Sequence, residues 1–239
     1  MIIKLILRPE NQITLPLNYN YYIQSMIYNI LRDVPEYSAF LHDYGYKCGG
    51  LKFRIFTFGG LHGRCGIQNK MITFYDTIRL EIRSASEEFI FHLRNAFNKR
   101  KTVNLKGTEL HIISVEMKKN LILPYHINIH TLSPIVASKA LETGHTQYFS
   151  PLDTEFESIV NNNFKKKFNA FYGIMPTEDI TLYNKSENPR HIITKYHDTI
   201  INAYHGEFVL SGNPQYLQFL YDTGLGSKNA QGFGMFEMD

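Results

Sequence analysis

Pairs of predicted strands separate the predicted helices in the first half of this 239-residue chain. Residues 2–8 are β-branched and aliphatic, which is typical of a buried strand. Tyr22, Met26 and Ile30 recur every four residues and predict an amphipathic helix over residues 21–31. The later predicted elements are a short helix at 35–45, strands at 53–58 and 70–83, a helix at 86–98 and a strand at 110–118. With the short helix set aside, the order β, α, β, β, α, β is that of the ferredoxin-like fold, an α+β arrangement.

The predicted strands and helices of the second half follow a similar order. The strongest helical signal runs from Pro151 to Gly173, where large apolar residues recur at steps of three and four. Strands are predicted at 127–132, 180–184, 190–196, 199–210 and 233–238, with a helix at 214–221. The sequence therefore predicts two tandem ferredoxin-like domains, residues 1–120 and residues 121–239, although no internal sequence repeat is visible.

Composition excludes several classes of protein. Hydrophobic residues make up 44% of the chain and charged residues 20%, which is enough apolar material for a core and excludes intrinsic disorder. No apolar run approaches the roughly 18 residues of a membrane span. The first nine residues are too short and too charged for a signal peptide, so we expect a cytoplasmic protein with no membrane partner.

The two cysteines do not predict a metal site. Cys48, His62 and Cys65 could supply three zinc ligands, but the cysteines lack the paired half-site of a zinc motif. His126 and His130 share a face of a predicted strand at too great a distance to bind one zinc ion. We therefore expect structural cysteines and histidines here, with no metal and no cofactor.

Positive charge is concentrated in one part of the chain. Residues 51–120 carry 13 Lys and Arg against 6 Asp and Glu, a net charge of +7, whereas the remainder carries 12 against 16, or −4. Such asymmetry is typical of a protein that binds a polyanion. A solvated basic face explains it equally well. The basic residues that dominate the region are Arg64, Arg79, Arg83, Lys99, Arg100 and Lys101.

The most specific motif is a glycine-rich run near the end of the sequence. Gly224, Gly226, Gly232 and Gly234 surround Lys228 within eleven residues, which favours a backbone that takes positive φ and approaches a phosphate closely. A P-loop is excluded because Lys228 precedes Gly232 instead of following it. A dinucleotide-binding fingerprint is excluded because Asn229 stands where its third glycine belongs, and too few residues follow for the helix that either motif needs.

This run, written Gly-x-Gly-x5-Gly-Phe-Gly, resembles the signature of the Cas6 family of CRISPR-associated endoribonucleases. Four other segments are also similar to that family. They are Leu15 to Tyr28, Phe40 to Asp43, Phe56 to Phe58 and Thr131 to Ile135. The resemblance implies two ferredoxin-like or RNA-recognition-like domains. It also implies metal-independent cleavage of CRISPR precursor RNA within the repeat, with the ribose 2′-hydroxyl attacking the adjacent phosphate to leave a 2′,3′-cyclic phosphate.

The resemblance also implies the catalytic residues. It places His42 as general acid or base, Tyr28 as its partner and Lys52 as the stabiliser of phosphorane charge. Without the family resemblance, we would interpret Tyr28 as a core tyrosine and His42 as a surface histidine. Lys47 or Arg54 could take the place of Lys52, because both lie close to it in the sequence.

RNA contacts are expected well beyond these three residues. The expected set consists of Arg64, Lys165, Lys166, Lys167, Lys228 and the four glycines of the terminal run. We also expect Gly226→Val to weaken RNA binding without unfolding the chain. The partner is CRISPR repeat RNA, with other CRISPR-associated effector subunits and a homodimer as further candidates. The alternative function is that of a noncatalytic CRISPR RNA-binding subunit of a surveillance complex, which would need neither His42 nor Tyr28.

Overall fold

Each half of the chain is built around one main antiparallel sheet, to which shorter strand pairs and helices are added. The structure is a computed structural model that describes residues 1–119, 122–142, 144–196 and 199–239. The predicted boundary between residues 120 and 121 lies outside the described residues and remains a prediction. No helix within these ranges is both long and apolar enough to cross a membrane.

The first half contains ten strands and three α-helices. The strands are β1 (Ile2–Pro9), β2 (Ile13–Pro16), β3 (Tyr46–Cys48), β4 (Leu51–Phe53), β5 (Phe56–Phe58), β6 (Cys65–Gln68), β7 (Met71–Phe74), β8 (Ile78–Ser84), β9 (Thr102–Leu105) and β10 (Thr108–Lys118). The helices are α1 (Asn20–Leu31), α2 (Pro35–Ala39) and α3 (Glu87–Asn98). A single π-helical turn, Phe40–Tyr44, continues α2.

The second half contains eight strands and two α-helices among its described residues. The strands are β11 (His126–Thr131), β12 (Ala137–Ala140), β13 (Thr146–Phe149), β14 (Thr181–Asn184), β15 (Arg190–Tyr196), β16 (Thr199–His205), β17 (Glu207–Ser211) and β18 (Phe236–Met238). The helices are α4 (Phe156–Tyr172) and α5 (Pro214–Thr223), and a 3₁₀ turn spans Asn229–Gln231.

Strand order confirms the predicted fold in both halves. In the first sheet β10, β1, β8 and β5 lie side by side, with β9 added at the β10 edge. In the second sheet the order is β18, β11, β17 and β14. All described pairings within these two sheets are antiparallel. When the four strands of each unit are counted along the chain, their order across the sheet is fourth, first, third, second. This is the order of the ferredoxin-like fold.

Three of the predicted strands are interrupted, and the one predicted at 199–210 divides into β16 and β17. The strand predicted at 70–83 divides into β7 and β8, which belong to different sheets. The strand predicted at 53–58 divides into β4 and β5 around Arg54 and Ile55. The helix predicted from Pro151 begins at Phe156, after a turn, and ends as predicted at Gly173, which adopts a left-handed φ of 75°.

A buried arginine joins the two halves. Arg83 on β8 is fully buried, and its guanidinium donates to the Phe236 carbonyl at 2.7 Å and to the Glu237 carboxylate at 2.6 Å on β18. A buried charge is stable in such a place because it is paired and hydrogen-bonded. The expectation that Arg83 belongs to an exposed basic region was therefore wrong. Arg100 is also engaged, through an ion pair with Asp33 at 2.6 Å.

Candidate active site

A cleft of about 890 Å³ lies between α1 of the first half and the glycine-rich run of the second. From the first half it is lined by the three predicted catalytic residues, Tyr28, His42 and Lys52. From the second half it is lined by the predicted RNA contacts Lys167 and Lys228. The fold thus brings together residues that lie far apart in the sequence.

His42 is held at the cleft by the π-helical turn. The amide of Gly45 donates to the Phe40 carbonyl at 2.7 Å and closes this turn. Gly45 takes a φ of 59°, and a Cβ there would lie 2.8 Å from the Phe53 carbonyl oxygen, so glycine is required. The His42 side chain is 73% exposed, and its Nδ1 lies 2.6 Å from Asp43 Oδ1. In the tautomer whose Nδ1–H donates a hydrogen bond to Asp43, Nε2 has a free lone pair that points away from the carboxylate.

Tyr28 packs beside His42. The two rings are perpendicular, with centroids 6.1 Å apart, and Tyr28 also meets Phe56 at 6.3 Å. Burial raises the pKa of Tyr28, while the Arg54 guanidinium acts in the opposite direction. The net effect keeps the phenol protonated at neutral pH, so Tyr28 is a hydrogen-bond donor at the cleft wall.

Lys52 on β4 and Arg54, directly after β4, reach back to the turn that carries His42. Lys52 Nζ donates to the Asp43 carbonyl at 2.8 Å, and Arg54 donates to the carbonyls of Leu41 and His42. Both side chains line the cleft. Lys47, the third candidate, instead lies over the Tyr44 ring at 5.6 Å. Of the three candidates, Lys52 and Arg54 therefore line the same cleft as His42.

The glycines of the terminal run are packed against other parts of the chain, against backbone in two cases and against side chains in the other two. All four have positive φ, between 64° and 84°, and all four are buried. A Cβ on Gly234 would lie 1.9 Å from the Leu225 carbonyl oxygen, and one on Gly226 would lie 2.4 Å from that of Val136. Such contacts leave no space for a side chain, so Gly226→Val is now expected to disturb folding as well as RNA binding.

Lys167 holds this run in place. Its side chain is 1% exposed and donates to the Gly224 carbonyl at 2.6 Å and to Asn229 Oδ1 at 2.8 Å. The Asn229 amide donates in turn to the carbonyls of Leu225 and Phe233, at 3.0 and 3.1 Å. Lys228, between these partners, takes a left-handed φ of 61° and lines the cleft. A non-glycine residue in this conformation is held there by its surroundings.

The three successive lysines of α4 do not form one basic patch. Consecutive helical residues point about 100° apart, so they face different surroundings. Lys165 pairs with Asp179, Lys166 is exposed, and Lys167 is the buried residue described above. Their expected RNA contacts therefore remain predictions, and the three side chains do not share one surface. Arg64 is exposed near the Tyr75 ring, outside the set of described residues that line the cleft.

Comparisons with known proteins agree with this architecture. The model of the CRISPR associated protein Cas6 C-terminal family matches residues 115–238, and that of the Cas6 N-terminal family matches residues 14–116. A CRISPR-associated endoribonuclease Cas6 of Methanocaldococcus jannaschii is 30% identical over 242 residues, covering 98% of this chain and 91% of that protein. The chain belongs to the Cas6 family.

Two further Cas6 proteins extend the similarity to the full length of the chain. A CRISPR-associated endoribonuclease Cas6 of Pyrococcus furiosus is 26% identical and covers 94% of this chain and 83% of its own length. A solved structure named CRISPR associated protein Cas6 is 27% identical, with a TM-score of 0.81, and covers 100% of this chain and 99% of that one. The resemblance found in the sequence is thereby confirmed.

Some features of this Cas6 site were missed in the sequence. Asp43 directly follows His42, and that adjacency was the one available signal for a carboxylate partner. The role of Lys167 gave no such signal, because lysine is rarely buried and its partners lie about 60 residues away.

Within the described ranges, no three His, Cys, Asp or Glu side chains are grouped so that they could hold a metal ion.

Replacing Lys167 with methionine is expected to change how stability depends on pH. Burial lowers the pKa of Lys167 from 10.5 to about 7. Between these values the unfolded state binds one more proton than the folded state, so the free energy of unfolding rises with pH, by up to about 1.4 kcal/mol per unit. Below pH 7 the burial penalty is fully present, and it disappears above the unfolded pKa.

Urea unfolding at pH 7 and pH 8.5 measures this effect. The unmodified chain is expected to gain about 1 to 2 kcal/mol more than Lys167→Met over that interval. Lys166→Met, at the exposed neighbouring position, is the control and should keep the slope of the unmodified chain. Equal slopes for Lys167→Met and the unmodified chain would show that Lys167 does not release a proton on folding.

Proposed function

We propose that this Cas6 protein cleaves CRISPR precursor transcripts within the repeat to give guide RNAs. Membership of a family of CRISPR-associated endoribonucleases supports the activity. One structural observation carries the proposal: a proton-transfer group, a phenol and several cations line one cleft that is formed by both halves of the chain. Cleavage by an internal 2′-hydroxyl needs those groups, and RNA requires positive charge along its phosphates.

The geometry supports a division of roles. His42, with Nδ1 held by Asp43, takes the 2′-hydroxyl proton through Nε2. The 2′-oxygen then attacks phosphorus, the bond to the 5′-oxygen breaks, and the products are a 2′,3′-cyclic phosphate and a 5′-hydroxyl. Tyr28, which is protonated at neutral pH, donates to the leaving oxygen. Lys52, with Arg54 or Lys228, stabilises the negative charge of the phosphorane.

RNA binding extends from these residues toward the second half. Lys228 and the four glycines line or support the same cleft, and Lys166 and Arg64 are exposed cations further away. The proposal also includes a cytoplasmic location for the protein. Other CRISPR-associated subunits and a second copy of the chain remain candidate partners.

Cleavage of a repeat RNA in the presence of EDTA tests the reaction. We expect full cleavage without added metal, because each proposed catalytic group belongs to the chain. Replacing the 2′-hydroxyl next to the cut with hydrogen should abolish cleavage while binding is retained, because the nucleophile is removed and the phosphates are kept. Continued cutting of the deoxy substrate would exclude the internal nucleophile. Tight binding without cleavage of the normal RNA would favour the noncatalytic CRISPR RNA-binding subunit.

A further inference from the structure

Two side-chain oxygens in the cleft are buried without a hydrogen-bond partner. Across the part of the chain that the structure describes, four buried side-chain polar atoms lack a partner, and two of them, Asn163 Oδ1 and Gln231 Oε1, belong to residues that line the cleft. Asn163 lies on α4, one turn before Lys167, and Gln231 ends the 3₁₀ turn of the glycine-rich run. The two residues therefore reach the cleft from separate elements.

Two other amide side chains of the same cleft, those of Gln24 and Asn229, have hydrogen-bond partners for their oxygens. Gln24 donates to the Ala230 carbonyl at 2.7 Å and accepts from the Tyr196 hydroxyl. Asn229 accepts from Lys167 and donates to two carbonyls. Because a buried polar atom without a partner is unfavourable, the two unpaired oxygens point to a donor from outside the chain.

The chemistry of these oxygens selects the kind of RNA group that fits. An amide oxygen only accepts hydrogen bonds, so phosphate oxygens, which also accept, are excluded as its partner. The cations Lys52, Arg54 and Lys228 already supply the cleft with phosphate contacts. An amide also offers an N–H donor beside its oxygen, and this pair matches the adjacent donor and acceptor on the edge of a nucleobase. A ribose hydroxyl would use only one of the two.

We propose that Asn163 and Gln231 are specificity-determining residues that contact the edges of unpaired nucleobases in the cleft. This proposal rests on the proposed RNA function and deepens it. The backbone of Gln231 is fixed, since its carbonyl accepts from Asn20 at 3.0 Å and its amide donates to Lys228 at 2.9 Å. Asn163 is fixed by its helix. Each amide therefore stands on a rigid backbone, and rotation of the side chain turns its buried oxygen toward a base in the cleft. Tyr21, 40% exposed at the same cleft, has a ring on which a base can stack.

Selection from a random RNA pool tests the proposal without knowledge of the repeat. The pool carries ten randomised nucleotides between constant arms, and every protein carries His42→Ala so that cleavage does not deplete it. Bound sequences are compared for the parent, Asn163→Ala and Gln231→Ala. Asn162→Ala and Gln147→Ala are the matched controls, because both residues are exposed and lie outside the described residues that line the cleft.

The parent should prefer one base at one or more positions by about 5- to 150-fold. Each cleft variant should lose the preference at one position, while affinity for the unselected pool changes less than about threefold, because phosphate contacts remain. Both controls should keep every preference. Unchanged preferences in both cleft variants, a parent without preferences, or an equal loss of affinity for all sequences would overturn the proposal.

A DNA pool of the same design separates base contacts from ribose contacts. One contrary outcome is that the cleft variants keep all base preferences but show a smaller difference in affinity between the RNA pool and the DNA pool. In that case the oxygens accept from the 2′-hydroxyl and the base assignment is wrong. Failure of the proposed cleavage would be seen elsewhere, as intact repeat RNA after incubation with the unmodified chain in EDTA. Base preferences are measured by binding and do not depend on that result.

Discussion

His42→Ala is expected to slow cleavage of repeat RNA by about 10²- to 10⁴-fold, the usual contribution of a general acid or base. The change removes the nitrogen that takes the 2′ proton and leaves the cations of the cleft in place. Because the side chain is 73% exposed and its described contacts are with Asp43 and Tyr28, the free energy of unfolding should change by no more than about 0.5 kcal/mol. RNA affinity should stay within about threefold, since phosphate contacts dominate it.

The measurement is the single-turnover cleavage rate in EDTA, with affinity determined on the same RNA carrying the deoxy substitution at the cut. His145→Ala is the control, because His145 is exposed and lies outside the described residues that line the cleft. It should cleave at the rate of the unmodified chain. If His42→Ala cleaves at that rate as well, His42 is not the proton-transfer residue and the site must be reassigned.

The order of elements was predictable from the sequence because it depends on local periodicity. Apolar residues at steps of three and four identify α4, and the glycine at position 173 marks its end, whatever the rest of the chain does. The breaks within predicted strands were not predictable. Arg54 leaves the strand to donate to the carbonyls of Leu41 and His42, and such a contact depends on two elements meeting in space.

In the candidate site too, local sequence patterns predict the elements but not the contacts between them. Tyr28 and His42 lie on different helices, and no pattern within either helix indicates that their rings meet. Resemblance to the Cas6 family paired them, and the structure places them together. The terminal glycines were interpreted as space for a phosphate, whereas the structure shows that this space is occupied by backbone and side-chain atoms of the chain itself. A glycine motif reveals that something approaches closely, but the sequence alone does not identify what.

Gly234→Ala is therefore expected to be among the most destabilising substitutions in the chain. Gly234 has a φ of 75°, which costs a residue with a Cβ about 1 to 2 kcal/mol. The new Cβ would also lie 1.9 Å from the Leu225 carbonyl oxygen. The backbone cannot move away easily, because the amide of Leu225 donates to the Gly234 carbonyl at 2.8 Å and the amide of Gly234 donates to the Pro134 carbonyl at 2.9 Å. We expect a loss of about 4 kcal/mol or more.

Gly107→Ala measures the conformational part of this effect alone. Gly107 has a similar φ of 82°, but no atom lies within 4 Å of its Cβ position, so only the conformational cost of about 1 to 2 kcal/mol applies. Urea or thermal unfolding of both variants gives the difference, which should exceed about 2 kcal/mol if the contact with Leu225 cannot relax. Equal losses of stability in Gly234→Ala and Gly107→Ala would mean that the glycine-rich run shifts freely to accept the new side chain. Lys228 would then not be held rigidly at the cleft, because the same backbone that excludes a side chain at Gly234 fixes the lysine six residues earlier.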